Sequence, residues 1–146
     1  MAGFSDTFEA NILKLLLNAT PIANIADNAA ASPLTNVYVA LHTADPGDSG
    51  LQSTNEATYT GYARVAVART TGGWTISGSS PTQAVPAATI NFPACTGGTN
   101  ALTHASIGIA ASGATAIIAS GPLDVTINVS SGVEPRLSTA TRFTLD

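Results

Sequence analysis

The feature that most constrains this chain is a long tract with no Asp, Glu, Lys or Arg, which runs from Thr70 to Leu123. In an average soluble domain about one residue in four is charged. Ser, Thr, Asn, Gly and Ala fill the tract instead. Such a surface is polar but weakly hydrated, so few ions need desolvation when another protein covers it. The tract therefore predicts a small-residue β-sheet with a hydroxyl-rich outer face, a surface buried in an assembly, or both.

Most of the chain after residue 35 shows an apolar–polar alternation with a period of two, which predicts β-strands. Turn signals rich in Gly, Pro, Ser and Asp separate these runs. Their spacing is typical of an all-β sandwich or small barrel. We predict strands at about Asn36–His42, Gly61–Thr70, Trp74–Ser77, Ala87–Phe92, Leu102–Ala110, Thr115–Ser120, Leu123–Val129 and Leu137–Leu145.

The opening segment has helical periodicity. An apolar stripe at Phe8, Ile12, Leu16 and Ala19, with Leu13 and Leu17 beside it, predicts a helix over about Asp6–Asn18. Ser5 or Asp6 can cap its first turn, with Glu9 as the partner of a capping box. Thr20-Pro21 is expected to end the helix, because a residue before proline avoids the α region. The stripe can pack on the chain's own sheet or on a neighbouring subunit.

A length of 146 residues favours one domain with its own core. We predict a mainly β fold, an antiparallel β-sandwich of jelly-roll-like type with one N-terminal α-helix. Within the single domain 1–146, the helix occupies 1–20, a connection rich in Ala and Asn occupies 21–35, and the sandwich occupies 36–146.

The charge balance excludes several classes of partner. Lys and Arg total 5 against 9 Asp and Glu, which gives a net charge of −4. So few cations argue against a nucleic-acid-binding surface and against an electrostatic membrane anchor. Asp6 and Glu9 precede the first apolar run and Lys14 interrupts it, so we do not expect an export signal. No stretch is apolar enough to predict a membrane-spanning helix.

The sequence contains little that indicates catalysis. Cys95 is the single cysteine, which excludes an intrachain disulfide and a multi-cysteine zinc site. His42 and His104 lack metal-ligand spacing, and we interpret each as a hydrogen-bonded strand residue. No nucleophile elbow and no phosphate-binding loop is present. We therefore predict no enzymatic activity, no catalytic residues, no cofactor and no metal.

The one acidic patch is the loop from Asp45 to Asp48, with Asn55 and Glu56 nearby. Its oxygens could supply part of a calcium site, although the EF-hand spacing is absent. Asp-Pro-Gly also forms a turn without any ion. We favour the structural turn, and ion binding stays open.

Some residues are candidates for a subunit interface. Tyr59, Tyr62 and Trp74 could stack on a glycan, but large rings more often pack in a core or at a protein contact. Two arginines five positions apart on a strand face opposite sides, so at least one should meet solvent or a partner. The candidate interface residues are Leu13, Leu17, Tyr59, Tyr62, Arg64, Arg69 and Trp74.

Two stretches of the chain form distinctive motifs. The first is Val37-Tyr-Val-Ala-Leu-His-Thr-Ala-Asp-Pro-Gly-Asp-Ser-Gly50, and the second is Asn55-Glu-Ala-Thr-Tyr-Thr-Gly-Tyr-Ala-Arg-Val-Ala-Val-Ala-Arg69. Together they resemble a family of small virion structural proteins of tailed bacteriophages, often called tail fiber proteins. The opening helix, the turn after Phe92 and the final Arg142-Phe-Thr-Leu-Asp146 extend the resemblance over nearly the whole chain. The resemblance implies a structural role in the virion and no catalytic residues. It also implies that the protein is made in the cytoplasm of the bacterial host and then assembled into the virion.

Two positions in the virion fit this resemblance. A fibre shaft needs a repetitive trimer-forming segment, which is absent here, so we favour a head decoration (cement) protein that bridges capsid subunits. Its expected partners are the major capsid protein or other virion proteins and further copies of itself, as a dimer or a trimer. The alternative is a tail fibre, tail-tip or adaptor protein that takes part in host attachment.

Overall fold

The computed structural model describes residues 6–22, 26, 33–79 and 81–145. These residues form one α-helix and nine β-strands. The helix is α1 (Asp6–Asn18), and the strands are β1 (Asn36–His42), β2 (Val65–Ala68), β3 (Trp74–Ser77), β4 (Thr82–Pro86), β5 (Ile90–Asn91), β6 (Asn100–Gly108), β7 (Ile117–Val129), β8 (Arg136–Leu137) and β9 (Phe143–Leu145). The predicted mainly β class with antiparallel sheets and one helix is confirmed, whereas a jelly roll is not.

Three predicted elements are confirmed at their predicted bounds, namely α1, β1 and β3. Other boundaries were wrong. The strand predicted over Gly61–Thr70 is shortened to β2. Gly61 has a positive φ of 98°, and the side chains of Tyr62 and Arg64 donate hydrogen bonds to Glu56. The strands predicted on either side of Gly121-Pro122 form one strand, β7. The predicted last strand is divided into β8 and β9, and β4 was not predicted.

The described residues fall into two compact units. The first, here the helix unit, comprises the described parts of Met1–Asn36, Ala68–Thr89 and Ser138–Asp146. The second, here the sheet unit, comprises Val37–Val67 and Ile90–Leu137. The prediction of a single domain over 1–146 stays a prediction.

The sheet unit contains a four-stranded antiparallel sheet with the order β2–β1–β6–β7. β1 pairs with β6 from Tyr38 opposite Gly108 to His42 opposite His104. From Val39 onwards both faces of β1 are buried, so Ala40 and His42 lie inside although the alternation predicts them outside. β5 and β8 form a separate two-stranded sheet.

β7 lies at one edge of the four-stranded sheet, and its middle departs from regular pairing. Pro122 lies opposite His104, but Ile127 lies opposite Leu102, so four residues of β7 face Thr103 alone. A proline and a bulge both blunt an edge strand against further pairing. Val125, in the middle of this bulge, is 76% exposed.

The helix unit places α1 against β3 and β4 of the three-stranded sheet β3–β4–β9. The buried stripe of α1 consists of Glu9, Leu13 and Leu17, whereas Phe8, Ile12 and Leu16 are half-buried. The stripe is therefore displaced by one position from the predicted one. Glu9 accepts a hydrogen bond from Thr82 Oγ1 at 3.1 Å, so its carboxylate links α1 to β4. Ser5 lies outside the described residues.

The helix ends at a residue in the left-handed conformation. Ala19 has a positive φ of 50°, and Thr20 N–H donates to the Lys14 carbonyl at 3.1 Å. The Arg69 guanidinium donates to the last-turn carbonyls of Leu15 and Leu16 at 2.9 and 2.7 Å. The Arg69 contacts supply partners to carbonyls that a helix end leaves unpaired.

Candidate functional site

A buried ion pair lies in the sheet unit, just before β2. The Arg64 guanidinium donates to Glu56 through Nε to Oε1 at 2.7 Å and through Nη2 to Oε2 at 2.8 Å. The exposed fraction is 2% for the Arg64 side chain and 17% for that of Glu56. This two-point geometry is the strongest form of arginine–carboxylate contact. Bonding to Glu56 raises the pKa of Arg64 above its ordinary value.

The remaining nitrogen donors of Arg64 hold the loop between β6 and β7. Nη1 donates to the Ala110 carbonyl at 3.0 Å and to Thr115 Oγ1 at 3.2 Å, and Nη2 donates to the Gly113 carbonyl at 2.7 Å. Nη1 also lies 3.2 Å from Gln52 Oε1. Every nitrogen of the guanidinium thus has a partner within the chain, which leaves no free donor for a ligand.

Gln52 joins the same loop to the central sheet. Its backbone N–H donates to the Thr115 carbonyl at 2.8 Å, and its side-chain Nε2 donates to the Tyr38 carbonyl of β1 at 2.9 Å. The side chain lies directly over Gly108, where a Cβ would overlap it. We call Gln52, Glu56, Tyr62, Arg64 and Thr115 the Arg64 cluster.

Tyr62 connects the cluster to the aromatic core. Its hydroxyl donates to Glu56 Oε1 at 3.1 Å and accepts from the Leu41 N–H at 3.0 Å. Its ring stacks on Phe92 at 6.4 Å and meets Tyr59 edge-to-face at 5.4 Å. Burial raises the pKa of Tyr62 above its ordinary value of 10.0, so the phenol remains a donor at neutral pH.

His42 and Ser106 form a second buried contact, between β1 and β6. His42 Nε2 lies 2.8 Å from Ser106 Oγ, and its Nδ1 lies 2.9 Å from the Thr54 carbonyl. A carbonyl can only accept, so Nδ1 is the donor and Nε2 accepts from the serine. The arrangement resembles an activated serine, but both side chains are fully buried, so a substrate cannot reach them.

The interpretation of both histidines as hydrogen-bonded strand residues is confirmed. His42 lies in β1 with both ring nitrogens bonded. His104 lies in β6, with Nδ1 at 2.9 Å from Thr103 Oγ1. Burial lowers the pKa of His42 below its ordinary value of 6.5.

The acidic loop forms the predicted turn. Asp45 Oδ1 accepts from the Gly47 N–H at 2.8 Å, and the Asp45 carbonyl accepts from Asn55 Nδ2 at 3.0 Å. Glu56, counted with this loop in the sequence, is instead bonded to Arg64. Across residues 6–22, 26, 33–79 and 81–145, no three His, Cys, Asp or Glu side chains converge on one point that could hold a metal.

The structure separates the predicted interface residues into two sets. Tyr59, Tyr62 and Arg64 lie together in the sheet unit, with Tyr59 buried and its hydroxyl donating to the Pro93 carbonyl at 2.9 Å. Burial raises the pKa of Tyr59 to about 12. Because Tyr59 is buried and Tyr62 bonds to Glu56, these rings do not form an open stacking platform.

The other predicted interface residues lie in the helix unit. Leu13, Leu17 and Trp74 are buried there, and Trp74 meets Phe143 edge-to-face at 5.9 Å. Arg69 is half-buried and bonds to carbonyls at the end of α1. All seven side chains are thus wholly or partly occupied by contacts inside the chain, and their role in a subunit interface stays a prediction.

Sequence reasoning missed the residues that complete the cluster. Gln52 and Thr115 carry no local signal, because their partners lie far away along the chain, and the same holds for Ser106 beside His42. The available signal was Arg64 and Glu56 in one motif, where two opposite charges flank a run of seven uncharged residues. An open cavity of about 270 Å³ lies beside the pair and is walled mainly by small residues, namely Ala57, Ala63, Ala111, Ser112 and Gly113.

Comparisons with known proteins identify the family. No helix among the described residues is long and apolar enough to span a bilayer. No curated protein sequence matches the chain. A family model described as Podophage GP4 fiber I protein gp80 matches residues 3–142. The chain therefore belongs to the Podophage GP4 fiber I protein gp80 family, a family of phage virion structural proteins.

Proposed function

We propose that this chain is a non-enzymatic structural subunit of a phage fibre that serves host attachment. The observation that carries the proposal is the match of residues 3–142 to a podophage fibre family. That match supports the tail-fibre alternative and adds nothing for the head decoration protein that the sequence analysis favoured. The expected location is the virion.

The polar groups of the sheet unit support a role without catalysis. The guanidinium of Arg64 uses all its nitrogens on acceptors within the chain. The serine–histidine contact that resembles a catalytic pair has no access to solvent. A catalytic group needs a position from which it can reach a substrate.

The Arg64 cluster supports a mechanical role instead. It joins β1, the segment before β2 and the β6–β7 loop through short bonds to backbone carbonyls. A buried network in which each donor is satisfied makes a region rigid. A subunit that transmits load within a fibre needs such rigidity.

The proposed partners are other virion proteins at the fibre attachment site and further copies of this chain. The net charge of −4 makes nucleic acid and anionic membranes unfavourable partners. Neutral, weakly hydrated surfaces suit contacts between proteins, because few ions lose their hydration.

Cryo-electron microscopy of virions, combined with a phage that lacks the gene, tests the proposal. We expect density for this chain on the tail or its fibres, and gene-deleted particles that keep stable heads but adsorb poorly. Supplying the chain from a plasmid is the control and should restore adsorption. Density in hundreds of copies on the head, with deleted particles that burst at lower temperature, would instead support the decoration role.

A further inference from the structure

The open cavity beside the Arg64–Glu56 pair is lined by an accessible carboxylate and by small side chains. Its volume is about 270 Å³, and small residues, among them Ala63, Ala111 and Ser112, form most of its wall. The Arg64 side chain is 2% exposed and that of Glu56 is 17% exposed. Glu56 is therefore the charged group that a molecule entering the cavity can contact.

The hydrogen-bonding groups of the pair leave an acceptor free, not a donor. Arg64 uses each of its nitrogens on the chain, and the Tyr62 hydroxyl donates to Glu56. Within the described chain, Glu56 Oε1 accepts two hydrogen bonds, whereas Oε2 accepts one, from Arg64 Nη2 at 2.8 Å. A carboxylate oxygen can accept two. A ligand that fits here therefore supplies a hydrogen-bond donor to Oε2.

The charge of the pair decides which kind of donor fits. Arg64 and Glu56 together carry no net charge. An ammonium group would add a second cation beside the guanidinium, and an anion would meet the carboxylate with no free cation to bind it. A neutral hydroxyl donates to a carboxylate in a charge-assisted hydrogen bond and adds no charge to the site.

The size and the wall of the cavity limit the rest of the ligand. The methyl groups of Ala63 and Ala111 suit contact with C–H groups. Sites for small molecules usually enclose about 300–1,000 Å³, so this cavity takes one small ring and not an extended chain. Arg64 bonds to the carbonyls of Ala110 and Gly113 and so orders this wall before a ligand binds.

We propose that the cavity binds one neutral hydroxylated ring, a single sugar unit, through a hydrogen bond from a ligand hydroxyl to Glu56 Oε2. The unit is either a free monosaccharide or the end of a glycan on a cell surface, because both present the same chemistry. The glycan source rests on the proposed role in host attachment, whereas the site itself does not. So small a contact predicts a dissociation constant of about 1–10 mM.

Nuclear magnetic resonance of the isotope-labelled chain tests the site. The probes are the methyl glycosides of glucose, galactose, mannose and N-acetylglucosamine, each added to about 50 mM. We expect at least one of them to shift the signals of residues 56–64 and 110–113 in a saturable way. Glucosamine and glucuronic acid carry a charge and should bind at least about tenfold more weakly. No saturable shift with any neutral glycoside, or tighter binding of a charged sugar, would overturn the proposal.

A substitution at the cavity wall tests the location without breaking the ion pair. Ala111→Leu narrows the cavity, and Ala66→Leu is the matched control, because Ala66 is an exposed alanine of β2 outside the lining. We expect binding to weaken at least about tenfold in Ala111→Leu, through steric exclusion, and to be unchanged in Ala66→Leu. Equal binding by the two variants would overturn the assignment of the cavity.

Adsorption of virions that carry the same variants separates the two sources of the sugar. Poor adsorption of Ala111→Leu virions, with normal adsorption of Ala66→Leu virions, would support a surface glycan. Normal adsorption of both, with saturable binding of a glycoside by the wild-type chain, would support the site with a free sugar as its ligand. If no glycoside binds but particles without the gene still adsorb poorly, the inference is wrong and the proposed function stands.

Discussion

Arg64 is a buried cation whose charge is compensated by one carboxylate, that of Glu56. A pair of this kind is not by itself strongly stabilising, because both groups lose hydration on folding. Removing one partner is costly, since it leaves the other charge buried and unpaired. The pair matters to the structure because Arg64 also bonds to the loop between β6 and β7.

We therefore expect Glu56→Gln to lower the free energy of unfolding by about 3 kcal/mol, measured by urea denaturation. Glu134→Gln is the matched control, because Glu134 forms an exposed pair with Arg136 at 2.6 Å. The control should change the free energy of unfolding by less than about 1 kcal/mol. Equal urea midpoints for the two variants would contradict a stabilising role of Glu56.

His42 makes the stability of the protein depend on pH. Its pKa in the folded state lies below the ordinary 6.5, first because burial disfavours the charged ring. The Thr54 carbonyl and Glu56 act in the opposite direction, while Arg64 and His104 lower the pKa further. Between the two pKa values the unfolded chain binds more protons, so stability rises with pH in that window.

We expect the contribution of His42 to be complete above about pH 6.5 and to be lost as the pH falls towards its folded-state pKa. The slope is at most about 1.4 kcal/mol per pH unit for one proton. Urea midpoints at several pH values measure it. His104→Gln should keep the His42 contribution to the slope and His42→Gln should remove it, whereas equal slopes for the two variants would refute the assignment.

At the scale of the elements, close packing between β6 and the segment before β2 demands a glycine. The side chain of Gln52 occupies the space where a Cβ of residue 108 would lie. Gly121 in β7 has open space around its own Cβ position and no positive φ. The two positions therefore differ in the room for a methyl group, which is absent at Gly108 and present at Gly121.

Gly108→Ala should lower the free energy of unfolding by about 1–3 kcal/mol, because Gln52 must move away from Arg64. Gly121→Ala should be neutral or stabilise by up to about 1 kcal/mol, since alanine reduces the entropy of the unfolded chain. Thermal unfolding of both variants checks the pair. A wild-type melting temperature for Gly108→Ala would show that the Gln52 contact is not tight.

The end of α1 allows a stabilising change. Ala19 adopts a left-handed conformation that glycine accepts without strain. Ala19→Gly should stabilise the protein by about 0.5–1 kcal/mol, whereas Ala10→Gly inside the same helix should destabilise it by about 1 kcal/mol. Circular dichroism during thermal unfolding measures both. The same sign of change at the two positions would refute the cap.

At the scale of the whole molecule, the charge-free tract predicts how copies respond to salt. A contact built from apolar groups is little affected by screening and is strengthened by sulfate, which is excluded from protein surfaces. Association of the wild-type chain in sedimentation velocity should therefore change by less than about twofold between about 0.05 and 0.5 M NaCl, and rise with sulfate. A steep fall with NaCl would indicate an electrostatic contact instead.

The described chain divides into two compact units, which the sequence did not indicate. The predicted sandwich over 36–146 did not distinguish β3, β4 and β9, which belong to the helix unit, from the strands of the sheet unit. Turn signals mark where strands end, but they contain no information on which strands pair. The helix was predicted correctly at Asp6–Asn18, yet its buried stripe is displaced by one residue because the partner strands select the face.

The sequence alone determined those features that depend on residues close together along the chain. The period of apolar residues and the chemistry of the turns predicted the mainly β class, α1, β1 and β3, and two motifs indicated a phage structural family. Tertiary structure decided which residues meet: Arg64 bonds to the β6–β7 loop and His42 to Ser106, across 46 and 64 positions of sequence. Such contacts depend on the order of the strands and on their register. Burial of residues that are far apart along the chain selects both, and neither leaves a pattern in the local sequence.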